Sequence, residues 1–200
     1  MKAFNKAILA GTVLVLLSCK DTINHYKTPA FSKDNILHAV VEIPAGTNKK
    51  YEFNVQSQSF EIDKKNGKER RIDFLPYVGN YGFIPSTFSD PKQGGDGDAL
   101  DVLILSESLP IGSLVEIIPI GMLKLIDNGE LDYKIIANLA NINTQVMKAK
   151  NFDELSKNYP EIMTIIELWF TNYNSDDVTK IEGWADETEA LIEINNNIVK

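Results

Sequence analysis

Cysteine is nearly missing from the sequence: Cys19 is the only one in 200 residues. A lone thiol excludes an intramolecular disulfide. Positive charge is in deficit as well, with 20 Lys and Arg against 28 Asp and Glu and a formal net charge of −8. That balance makes nucleic acid and anionic lipid headgroups poor partners. No internal repeat or low-complexity tract stands out. The apolar stretch Ala7 to Leu17 carries no charge but is too short to span a bilayer. What remains is ordinary for a globular protein, 44% hydrophobic and 24% charged, enough for one domain with a real core.

The first residues stand apart from that core. Lys2 and Lys6 precede the apolar stretch, as in a secretory signal. It ends in Leu16-Leu17-Ser18-Cys19, which resembles the bacterial lipobox. The expectation is a lipoprotein signal peptide over 1–18 and a lipidated Cys19 holding the exported chain on a membrane of the cell envelope. Residues 19–35 read as a polar tether, and 36–200 as the folded domain. Cleavage removes two lysines and no acids, leaving 18 basic against 28 acidic residues, or −10.

Strand patterns begin at His38. His38 to Ile43 is mostly apolar and stops at Pro44-Ala45-Gly46. Lys50 to Val55 and Phe60 to Asp63 alternate with a period of two, and Asn66-Gly67 marks a hairpin. Leu75 to Asp96, rich in Gly, Pro and Tyr, reads as a long ordered loop. Apolar runs follow at Val102–Leu105, Leu114–Ile120 and Met122–Ile126, then a turn at Asp127-Asn128-Gly129 and a strand from Tyr133. Near the end, Ile162, Ile166, Trp169 and Tyr173 make one helical stripe that Pro160 starts. A second helix opens at Asp186 with Glu189 three residues on, a capping-box spacing. The fold class is α+β: a curved sheet or small barrel with two C-terminal helices outside.

The chemistry concentrates in Gly94-Gly95-Asp96-Gly97-Asp98-Ala99-Leu100-Asp101, three acids in six residues. In an extended chain Asp96 and Asp98 face one way and Asp101 the other, so a bend must join them, which the glycines permit. Converging carboxylates repel unless a hard cation such as Mg²⁺ or Mn²⁺ lies among them. A calcium EF-hand is excluded, because Asp101 stands where its loop needs glycine. Taken alone, an isolated Asp-Gly-Asp is more often a solvated turn. Asp127 and Asp132 form a second acidic group beside Lys124 and Lys134, and Glu42 sits in a strand. Lys50, Arg70, Arg71 and Lys134 are candidate anion binders or plain surface charge.

The order of these pieces carries a resemblance. Glu42-Ile43-Pro44, Lys50-Tyr51-Glu52, Asn80 to Pro85, Asp96-Gly97-Asp98-Ala99-Leu100-Asp101-Val102-Leu103, Gly121 to Lys124, Asp127, Asp132-Tyr133-Lys134, Trp169 to Tyr173 and Glu182-Gly183-Trp184 together resemble the soluble, magnesium-dependent inorganic pyrophosphatases of family I. The match runs from about Val40 to Ala190. It implies a five-stranded OB-like barrel, with additional strands and two C-terminal helices packed outside. It also implies hydrolysis of pyrophosphate to two phosphates by direct attack of a metal-activated water. Asp96, Asp101 and Asp132 would hold the metals nearest that water, Asp127 a further one, and Glu42 the outer metal shell. Asp98 would be the general base. Lys50, Arg70 rather than Arg71, Tyr81, Lys134 and Tyr173 would bind phosphoryl oxygens. The cofactor would be Mg²⁺, with Mn²⁺ as a substitute.

The chain departs from the pattern at Asn174, where the family usually carries lysine after tyrosine, so one cation is missing from the phosphate pocket. That gap, with the lipobox, keeps a second expectation in view: a surface lipoprotein that binds metal or phosphate without catalysis. A homo-oligomer is compatible with the sequence, which marks no surface for pairing.

Overall fold

A computed structural model describes residues 24–199, and the expected signal segment and Cys19 lie outside them. Five strands pair in a ring. β1 (Leu37–Ile43) joins β6 (Asn80–Phe83), which joins β7 (Asp101–Ile104). That strand runs parallel to β10 (Lys134–Leu139), and β8 (Leu114–Asp127) pairs with both β10 and β1. The ring is OB-like without being a regular cylinder: β8 serves β1 with its first residues and β10 with its middle. Its last residues carry β9 (Glu130–Leu131) and β11 (Thr179–Ala185). Two small hairpins, β2 (Tyr51–Asn54) with β3 (Ser59–Ile62), and β4 (Lys64–Lys65) with β5 (Lys68–Glu69), stand off the ring. The helices are α1 (Phe152–Asn158), α2 (Pro160–Asn172) and α3 (Glu187–Asn197).

The central strands are apolar on both faces because both are covered. Val102 and Ile104 of β7 and Ile135 and Ala137 of β10 pack in one core with Ala190 and Ile194 of α3. Their alternate residues, Leu103 and Ile136, pack in a second core with Ile166, Trp169 and Phe170 of α2. Each such large side chain, fully buried, stabilises by roughly 1.5–3 kcal/mol. Pro160 begins α2 as the sequence predicts, and the Asp186 side chain accepts from Glu189 N–H at 2.9 Å to begin α3.

Four elements differ from the sequence reading. β6 lies within the stretch read as a long loop, β8 is one strand of 14 residues rather than two runs, and α1 and β11 are additions. Pro119 is tolerated inside β8 because the pairing with β10 shifts there, between Ile136 and Ala137. Residues 24–35, read as the end of a tether, lie against the domain, with Ala30 in the first core.

A bulge positions the first site residue. In the β1–β6 pair, Val41 faces Gly82 and Ile43 faces Tyr81, leaving Glu42 as the extra residue. Such bulges re-aim a side chain. The strands approach so closely that a Cβ on Gly82 would sit 1.8 Å from the Val40 carbonyl oxygen. Gly82→Ala is therefore expected to cost about 3 kcal/mol, the upper end of overpacking penalties. It should show as a lower urea midpoint, and an unchanged midpoint would mean that the pair can spread at little cost.

Candidate active site

At one end of the sheet opens a cleft of about 930 Å³. All eleven cleft residues expected from the sequence line it: Glu42, Lys50, Arg70, Tyr81, Asp96, Asp98, Asp101, Asp127, Asp132, Lys134 and Tyr173. They come from β1, β6, β7, β8, β10, four loops and the end of α2, so only the tertiary fold assembles them.

The centre follows from strand register. Asp101 of β7 lies directly beside Lys134 of β10. Both continue the face that carries Leu103 and Ile136, so the charged pair sits at the margin of the second core. The Lys134 ammonium is buried and donates to the carboxylates of Asp101 and Asp132, and the Tyr81 hydroxyl donates to Asp101. Lys134 also lies over the rings of Tyr81 and Phe170, 5.6 and 5.7 Å from their centroids. Burial works against its charge, but Asp101 and Asp132 outweigh burial and hold its pKa above the ordinary lysine value.

An aromatic wall supports this centre. Tyr173 stacks on Trp169 with centroids 4.9 Å apart, and Trp169 Nε1 donates to the carbonyls of Leu75 and Pro76 at 2.9 and 3.1 Å. Helix α2 thus fixes both the Tyr173 phenol and the loop before Tyr77. Burial pushes the Tyr173 hydroxyl up to about 12, so it remains a donor at working pH.

The acids are short of counter-charge. Glu42 is buried, and its Oε1 accepts from Phe53 N–H at 2.7 Å. Burial first, then the Asp101 charge, push its carboxyl up to about 8 against the relief from that hydrogen bond. Burial raises Asp132 to about 6 although Lys134 opposes it. Asp98 reaches solvent at the rim, yet partial burial and its neighbours Asp96 and Asp101 raise it above the ordinary carboxylate range. Asp127, which accepts from the Thr179 hydroxyl at 3.2 Å, is raised by burial and then by Asp177.

Most of the cations are already committed. Lys50 pairs with Glu52 at 2.9 Å and Arg70 with Asp63 at 2.7 Å. Arg71 turns away to Glu69 and does not line the cleft. Among the lining residues nine acids face five lysines and arginines, so the walls carry excess negative charge in a partly desolvated space. Among the described residues no three carboxylates converge into a ready-made cage; the Lys134 ammonium lies between Asp101 and Asp132 instead. The donor set is all oxygen, which suits hard divalent cations, and unneutralised buried carboxylates give such ions a reason to bind. The residues fit the group.

Sequence reading did not single out Glu52, Asp63, Lys64, Lys65, Asp177 or Tyr26, which also line the cleft. Glu52 was within reach, since it shares a strand face with Lys50. Tyr26 lies in a segment without periodicity and gave no signal. Asn174 does not line the cleft: its amide donates to Asp177, which does.

Raised carboxylates have a consequence for stability. An acid with a higher pKa folded than unfolded makes the native state bind protons more tightly, so stability falls as pH rises between the two values. For Glu42 that window runs from the unfolded value of about 4.3 to about 8, with Asp132 adding to its lower part. In EDTA the Tm should be lower at pH 8 than at pH 5, and Mg²⁺ should remove much of the difference. A Tm that rises over this interval in EDTA would contradict the placement of these groups.

An OB-like sheet whose rim gathers this many carboxylates around a few cations has the architecture of a metal-dependent phosphohydrolase. The family model for inorganic pyrophosphatase matches residues 39–200. The inorganic pyrophosphatase of Neisseria meningitidis serogroup B is 35% identical over 179 residues, covering 88% of this chain and 94% of its own. Among solved structures, the inorganic pyrophosphatase of Thermus thermophilus superposes with a TM-score of 0.76 at 28% identity, over 88% of this chain and 97% of its own. That of Neisseria gonorrhoeae gives 0.70 at 32%, over 86% and 94%. The chain belongs to the inorganic pyrophosphatase family.

Proposed function

We propose that this chain hydrolyses inorganic pyrophosphate to two phosphates by direct attack of water, with Mg²⁺ as its divalent cofactor. The observation that carries this reading is the gathering of six acids with Lys50, Arg70, Tyr81, Lys134 and Tyr173 on one cleft. The relatives named inorganic pyrophosphatase support it. Asp96, Asp101, Asp132 and Asp127 are the residues that would hold the cations, with Glu42 in the outer shell. Bound divalent ions supply charge neutralisation and a lower pKa for water.

The remaining steps belong to side chains of the chain. The Asp98 carboxylate accepts no hydrogen bond among the described residues and its pKa is raised, so it is free to take the proton of the attacking water. Lys50, Arg70, Tyr81, Lys134 and Tyr173 orient the substrate and stabilise charge on the departing phosphate. Lys134 leaves its two carboxylates for phosphoryl oxygens as substrate arrives. The test is phosphate release from pyrophosphate by the full chain with Mg²⁺ and with excess EDTA. Turnover with Mg²⁺ that EDTA abolishes is expected. Binding of phosphate without turnover would replace this reading with the non-catalytic one.

We also propose that Cys19 is lipidated and anchors the exported enzyme to a membrane of the bacterial cell envelope. The support is the lipobox pattern at residues 16–19. Fatty-acid labelling that disappears in Cys19→Ser is the expected result, and equal labelling of both forms would contradict it.

A further inference from the structure

The segment before β1 contributes to the cleft. His25 lies edge-on to Phe53 with centroids 5.1 Å apart, and Tyr26 stacks on Phe83 at 4.4 Å and 19°. Phe83 is the sheet partner of Asp101. The Tyr26 carbonyl accepts from Ser86 N–H at 3.0 Å, and Ser86 Oγ donates to the Thr28 carbonyl at 2.8 Å, so the segment is held by backbone as well as by rings. Tyr26 lies against the cluster of Val40, Phe53, Phe83 and Ala99 and lines the cleft. Two of its neighbours in that cluster flank acids: Phe53 donates its N–H to Glu42, and Ala99 follows Asp98.

Another phenol at this wall, Tyr81, already gives its hydrogen to Asp101. The nearby wall carries Glu42, Asp98 and Asp101, which as carboxylates only accept hydrogen bonds. Tyr26 brings a neutral donor to that wall. Burial first, then Glu42, Asp98 and Asp101, keep its proton on at any working pH. Glu42 has one oxygen satisfied by Phe53, which leaves the other for solvent in the cleft.

We propose that Tyr26, from outside the family-matched residues 39–200, is a positioning residue that donates its phenolic hydrogen to water held on Glu42. It thereby fixes the outer hydration of the cation site. The inference rests on the pyrophosphatase reading. The hydroxyl acts through that water and through Glu42 rather than on substrate.

Tyr26→Phe keeps the ring and removes only the donor. In the full chain it should leave the Tm in EDTA unchanged and weaken Mg²⁺ binding by calorimetry about tenfold, the low end for loss of an outer-shell partner. At saturating Mg²⁺ its kcat should stay below the parent value while KM changes little. Tyr26→Ala should do the same and lower the Tm as well. Mg²⁺ binding by Tyr26→Phe within twofold of the parent would overturn the proposal, whatever the turnover. A parent that binds Mg²⁺ but releases no phosphate would overturn the pyrophosphatase reading, and the positioning role with it.

Discussion

Replacing Asp98 by asparagine should lower kcat by roughly 10²- to 10⁴-fold, the usual contribution of a positioned general base. The fold should hardly notice. The Asp98 N–H donates to Asp96 Oδ1 at 3.0 Å and its carbonyl accepts from Ser89 N–H at 2.7 Å, and both contacts are made by backbone atoms that asparagine retains. Its side chain, by contrast, has no hydrogen-bond partner to lose among the described residues. Burial and the adjacent Asp96 and Asp101 raise its proton affinity, which strengthens it as a base and which an amide cannot reproduce. The discriminating measurement is kcat of Asp98→Asn beside its Tm and its Mg²⁺ affinity. A variant that keeps its fold and its Mg²⁺ affinity yet turns over within tenfold of the parent would remove Asp98 from the role.

The second large effect is expected at Lys134, and it should show first as stability. Lys134 is 4% exposed and lies against two carboxylates of which Asp101 is 22% and Asp132 15% exposed. Taking one partner from a buried ion cluster leaves its counter-charges uncompensated, at a cost of about 3–5 kcal/mol. Lys134→Met fills similar volume and can still touch the rings of Tyr81 and Phe170, so packing loss stays small. In EDTA the variant should unfold at clearly lower urea than the parent. Mg²⁺ should restore more stability to the variant than to the parent, because the two freed carboxylates then face a cation again. Turnover should stay low even so, since the substrate loses a buried donor. Equal urea midpoints in EDTA would mean that Asp101 and Asp132 do not depend on the lysine.

Much of this site was legible in the sequence because its chemistry is local in chain order. The motif Asp96 to Asp101 and the groups around Glu42, Lys134 and Tyr173 each carry their residues within a few positions. Elements with strong periodicity were equally clear, such as the alternation over Lys50–Val55 and the stripe that became α2. What stayed hidden depends on tertiary context. β6 is four residues of Asn-Tyr-Gly-Phe, whose composition suggests a loop, and it is a strand because β1 and β7 flank it and Gly82 lets β1 come close. α1 is seven residues with one buried side chain, Leu155, too little for a visible stripe. The bulge at Glu42 has no signature of its own, so the strand pattern alone did not show that its carboxylate is buried. The meeting of Lys134 with Asp101 depends on a parallel register between strands 33 residues apart, which no local pattern encodes. At Asn174, read as a missing cation in the phosphate pocket, the side chain contacts Asp177, whose place at the cleft wall also depends on tertiary context.

The central claim is the reaction itself, and phosphorus NMR follows it without coupling enzymes or dyes. Full-length chain, pyrophosphate and Mg²⁺ are mixed, and the spectrum is recorded over time. The expected result is loss of the pyrophosphate resonance, replaced by orthophosphate at two molecules per molecule consumed, with no change after EDTA. A pyrophosphate resonance that persists with folded protein and either Mg²⁺ or Mn²⁺ would contradict it.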